Sequence, residues 1–194
     1  VRDGVPQAGI VIGAAPTRMQ RLAAEELRRV LLKMSGAELP LASDPDPAWP
    51  VSIYVGRSAH TDALGLDPAD LEHGAYRMRS GDNFLVLLGR DTNYAQDKPG
   101  QAGPEFPASR ADRARSVEAW TSLHGERWGS PFLSYFKGYH AGLGVWAVDE
   151  HGSFNAVCDF LRMLGAEWYM PGEFGEVLPH RATVALPEVD RTVR

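Results

Sequence analysis

The sequence predicts an α/β (α+β) domain: one sheet, helices packed against it, and a long insertion that divides the chain. Three observations predict this. Short apolar runs of strand length recur between turn signals, and two segments carry apolar residues at spacings of three and four. The composition also changes abruptly between Thr92 and Val148.

Ala8–Ile12 reads as a short buried strand, and a helix follows it. Thr17 is its N-cap, Gln20 completes a capping box, and Pro16 fixes the approach. Ala23, Leu27, Val30, Leu31 and Met34 form one apolar stripe, which needs an apolar partner such as a sheet face. Ser35-Gly36 ends the helix, with Gly36 suited to the left-handed position. The prolines of Asp44–Pro50 make a loop, and Val51–Val55 is the second strand, closed by Gly56. A helical turn is expected within Leu64–His73, starting at Asp67-Pro68.

Ala75–Arg79 alternates, with Tyr76 and Met78 on one face and Arg77 and Arg79 on the other. The turn Ser80–Asn83 leads to a return strand, Phe84–Leu88, which is apolar at every position and so expects cover on both faces. The insertion, residues 92–148, holds a Gly/Pro-rich run, a polar helix candidate from Ser109 to about His124, and an aromatic stretch. It contains half of the chain's 5 Trp, 6 Tyr and 7 Phe. Ser153 is read as the cap of a second helix, Phe154–Leu164, stopped by Gly165. Glu167–Met170 and Thr183–Leu186 are short strand candidates, the latter followed by a polar tail.

The net charge is -5 and the 20 Lys and Arg are dispersed, so nucleic acid is not an expected partner. No run reaches the roughly 18 apolar residues of a membrane helix. One cysteine, Cys158, allows neither an internal disulfide nor a cysteine-cluster zinc site. The first residue is Val1 and the last is Arg194, which suggests a piece of a longer protein.

Four segments, in this order, carry a resemblance: AAEELRRVLLKMSGAELP (Ala23–Pro40), VSIYVGRS (Val51–Ser58), LVLLGRD (Leu85–Asp91) and GSFNAVCDFLRMLGAEWYMPGEFGEVLP (Gly152–Pro179). Together they resemble the small N-terminal α/β domain that precedes the catalytic barrel in bacterial glycoside hydrolases. The closest types are the α-glucuronidases and β-N-acetylhexosaminidases. The likeness covers roughly residues 8–91 and 149–187, and its last phrase is the most specific. The chain has Phe154 where the family has Tyr, Arg162 where it has Glu, and an insertion where it has a short loop. The resemblance implies a mixed, largely antiparallel sheet with two main helices on one face. It also implies a non-catalytic support for a C-terminal catalytic barrel absent from this chain, in a secreted or periplasmic bacterial enzyme of carbohydrate metabolism.

A glycosidase needs two carboxyls facing each other across the substrate. Asp149 and Glu150 are adjacent and precede a helix, where negative charge suits the dipole. Glu173 and Glu176 lie in the loop after the second helix, a loop expected to face a neighbouring domain; they are candidates for interface or carbohydrate contact, not for catalysis. His60, His73, His124, His140, His151 and His180 show no ligand spacing, so no metal is expected, nor any cofactor. Cys158 reads as an inert helix thiol, no G-x-S-x-G occurs, and Gly142-Leu-Gly144 lacks the third glycine of a dinucleotide fingerprint. Trp120, Trp128 and Tyr139 are the insertion's candidate contacts. Three roles stay open for that stretch: a satellite core, an interdomain or subunit interface, or stacking on an oligosaccharide. The last two make a carbohydrate-binding or protein-interaction module the alternative reading.

Overall fold

The computed structural model describes residues 1–93, 149–170 and 173–194, with residue 173 by its backbone alone. The chain forms two compact units, Val1–Asp91 with His151–Arg194, and Thr92–Glu150. The insertion's helix candidate, its aromatics, His124, His140 and Gly142-Leu-Gly144 lie outside the described residues. Among the described residues, no helix is long and apolar enough to cross a membrane.

The first unit is a six-stranded mixed sheet with helices. Its strands are β1 (Ala8–Val11), β2 (Leu41–Ala42), β3 (Val51–Val55), β4 (Tyr76–Ser80), β5 (Phe84–Gly89) and β8 (Asp190–Val193), in the order β2-β1-β3-β5-β4-β8. A separate two-stranded ribbon pairs β6 (Glu167–Trp168) with β7 (Glu176–Val177). The main sheet is mixed, but its balance corrects the expectation of a largely antiparallel one. β1 runs parallel to β2 and β3, and β3 runs parallel to β5; only β4 runs antiparallel, to β5 and β8.

Helix α1 (Arg18–Ser35) has the ends expected of it. The Thr17 hydroxyl accepts from the Gln20 N–H at 3.2 Å, and the Gln20 side chain accepts from the Thr17 N–H at 3.1 Å. Gly36 closes the helix at φ 75°, where an L side chain is strained. Helix α3 (Gly152–Met163) packs beside α1 on the same face of the sheet, and α2 (Ala59–Ala63) is a short helix after β3. The core lies between the sheet and the long helices: Ile10, Val55, Met78 and Leu87 meet Leu27, Val30, Val157 and Leu161. All eight are fully buried or within a few per cent of it. The opposite face of β5, Phe84, Val86 and Leu88, packs with Tyr54 and Leu66, as an all-apolar strand requires.

Two further expectations need correction. Ser153 does not cap α3; its cap position is His151, whose side chain makes no capping bond. Asp91, at the end of β5, does that work: its carboxylate accepts from the Ser153 N–H at 2.9 Å and the Ser153 hydroxyl at 2.5 Å. The same carboxylate takes the Gln20 amide at 3.1 Å, so one residue ties β5 to the starts of both long helices. The last strand is not Thr183–Leu186 but β8 in the polar tail. The earlier segment bonds the chain's beginning, Val184 N–H to Val1 O at 3.1 Å, while the free edge of β4 takes β8. Polar residues suit an exposed edge strand. Arg191 of β8 pairs with Asp159 of α3, and the Tyr76 hydroxyl donates to the same carboxylate at 2.6 Å.

Candidate functional site

The ribbon after α3 is too short to be stable alone, so its geometry depends on what it rests on. Side chains alternate across it. Trp168 and Glu176, which are cross-strand partners, turn inward: Trp168 packs against the main core and Glu176 meets α1. Glu167, Tyr169 and Val177 belong to the other face. There Tyr169 is 71% exposed and Val177 52%, and the adjoining Met170 and Phe174 are 57% and 101% exposed. A short 3-10 turn, Glu173–Gly175, presents Phe174, and the Tyr169 N–H donates to Gly175 O at 2.8 Å to close the loop. Clustered apolar exposure of this kind marks a surface that binds something.

Glu176 is what anchors the ribbon. Its carboxylate accepts from the Arg29 guanidinium through both oxygens and from Lys33 Nζ at 2.9 Å. Only 7% of its side chain is exposed. The hydrogen bonds from Arg29, with help from Lys33, hold the carboxyl down at about 2 against desolvation. Arg29 is in turn pushed up by Glu26 and Glu176. A carboxylate so clamped stays ionised at neutral pH and has no proton to give.

Of the residues singled out from the sequence, Glu176 is therefore a brace between the loop and α1. For Glu173 the backbone is placed in the 3-10 turn. Trp120, Trp128 and Tyr139 lie outside the described residues. Asp149 and Glu150 are buried. His60 stacks on Tyr54 with ring centres 5.6 Å apart and meets Asp44 at 3.2 Å. His73 and His151 meet edge to face at 6.1 Å, and His180 is exposed. Among the described residues, no three His, Cys, Asp or Glu gather as a metal would need. Cys158 is half-buried, and burial pushes its thiol up to about 11.

Sequence reasoning missed Asp91, Tyr169 and Phe174. Asp91 carried no local signal, because its helix partners lie 62 and 71 residues away. Tyr169, Met170 and Phe174 did carry one: large apolar residues in a turn-rich loop. No protein-family model matches the chain, and no curated protein matches it.

Proposed function

We propose that this chain is a non-catalytic accessory domain of a carbohydrate-active enzyme, a glycoside hydrolase, and that it supports a catalytic barrel encoded outside these residues. The enzyme would be secreted or periplasmic. The observation that supports this reading is the exposed cluster Tyr169, Met170, Phe174 and Val177 on a ribbon braced to α1. These residues belong to the phrase that carries the most specific part of the resemblance. Aromatic and methionine side chains are enriched at interfaces, and a backbone already braced has little freedom left to lose when they are covered.

The test is to produce the chain and the downstream barrel as separate polypeptides and measure their association by calorimetry. Phe174→Ser with Tyr169→Ser weakens association at least about tenfold, from loss of one or two buried aromatics. Its thermal midpoint stays close to that of the parent, since both side chains are exposed. Turnover of aryl-glycosides by the purified chain alone, or equal barrel binding by parent and variant, would overturn the proposal.

A further inference from the structure

A second feature lies where the parallel strands finish. The chain leaves β1, passes through α1 to β2 on one side of β1, then places β3 on the other side. The connections therefore part at the carboxyl ends of β1 and β3. In open sheets of this kind, the crevice outside those strand ends is where ligands sit. A cleft of about 360 Å³ lies there, lined by the segments that follow β1, β3 and β5. That volume falls in the range of roughly 300–1,000 Å³ typical of small-molecule sites.

Its walls are held by close backbone approach. A Cβ on Gly13 would stand 2.9 Å from the Arg57 carbonyl, so the loops after β1 and β3 touch only because Gly13 has none. A Cβ on Gly56 would meet the Gln20 side chain at 2.4 Å, so Gln20 lies directly over that turn. The polar lining is Thr17, Gln20, Arg57, Arg90 and Asp91. Ala15, Pro68 and Ala69 supply an apolar part.

The charges decide the ligand class. Arg57 is met by Asp62 at 3.0 Å and Asp67 at 3.6 Å, and Asp91 adds another carboxylate to the lining. Two arginines therefore face at least as many carboxylates, and an anion finds no excess of positive charge. What the cleft offers is a mixed set of planar donors and acceptors, guanidinium, carboxamide and carboxylate, already oriented by their own bonds. A compound with several hydroxyls uses both kinds, because each hydroxyl donates and accepts. Its C–H surface meets the alanine and proline side chains. We propose that this cleft binds a neutral polyol, a monosaccharide or the end of a longer sugar. The inference goes beyond the supporting role: it stands on the cleft alone, and its assay contains no barrel.

The experiment is saturation-transfer NMR on the 194-residue chain. The probes are neutral hexoses, a pentose and an N-acetylhexosamine, with a uronate as a charged comparator and inorganic phosphate, which has no C–H proton to observe, added as a competitor. Each is used at about 10 mM, enough to more than half fill a site of millimolar Kd. Expected is transfer to at least one neutral sugar, undiminished by phosphate. Arg57→Ala, at an exposed side chain, weakens that sugar about tenfold by removing charged donors. Ala69→Trp, at an exposed position on the rim, abolishes binding by filling the space. Circular dichroism shows both variants folded. The proposal is overturned if no neutral sugar shows transfer, if phosphate abolishes the transfer, or if both folded variants bind as the parent does.

Discussion

Replacing Glu176 by Gln removes the charge from a nearly buried carboxylate while keeping its shape. In the folded chain, Arg29 and Lys33 hold this carboxyl at about 2, against an ordinary 4.5. A gap of about 2.5 pH units, carried in full at about 1.4 kcal/mol per unit, corresponds to about 3.5 kcal/mol. Both cations are 38% exposed, so water screens them and the expected cost falls to about 1–2 kcal/mol. Folding lowers this pKa, so the stabilisation is complete above 4.5 and drains away as pH falls toward 2. Urea unfolding of parent and E176Q should therefore differ by about 1–2 kcal/mol at pH 7, and by progressively less below about pH 4.5. Coincident transitions at pH 7, or a gap that persists undiminished to pH 3, would refute the brace.

Gly89→Ala puts a Cβ 2.0 Å from the Gly152 carbonyl carbon, backbone against backbone, and should cost about 3 kcal/mol or more. Soluble yield and urea midpoint report it. Asp91→Ala removes the acceptor that caps α3 and holds Gln20, and should lower stability by about 1–3 kcal/mol in the same assay. Cys158, with its thiol at about 11, should react with iodoacetamide at pH 8 about a hundredfold more slowly than free cysteine, and at the ordinary rate once unfolded. Excision of residues 94–148, with a short Gly/Ser joint, should leave a cooperative urea transition within about 1 kcal/mol of the parent.

What the sequence made legible was local. The capping box Thr17–Gln20, the α1 stripe and the left-handed Gly36 depend on residues a few positions apart, and each stands where the pattern placed it. The β4–β5 hairpin is equally local, and its two faces divide as the alternation predicts. Parallel pairing is not local. Ile10 meets Ile53, and Ile53 meets Leu85, through partners that no short window contains. Asp91 and Glu176 were opaque for the same reason; Glu176 finds Arg29 across 147 residues. Strand β2 is too short to show a period, and α2 announced itself only through Ser58 and Thr61, which form a capping box. The tail lacks the apolar character that marks a buried strand, because β8 is an edge strand, which is better polar.

The neck between the two parts of the first unit explains why a long interruption coexists with an intact sheet. The last residue of β5, Gly89, and the first of α3, Gly152, lie in backbone contact: a Cβ on Gly89 would strike Gly152, and a Cβ on Gly152 would strike the Arg90 and Ala75 backbone. The Gly152 N–H donates to Arg90 O at 3.2 Å, and the Gly89 N–H donates to the Ser153 hydroxyl at 3.0 Å. Two residues further out, the Glu150 N–H donates to Thr92 O at 3.0 Å. The chain thus leaves and returns at one point, already bonded to itself. Lengthening such a loop costs only about 0.6 kcal/mol per doubling. A short loop and a long insertion are then nearly equivalent to the core beneath. The two glycines are the condition for that equivalence, which is why Gly89→Ala should harm the core more than excision of residues 94–148.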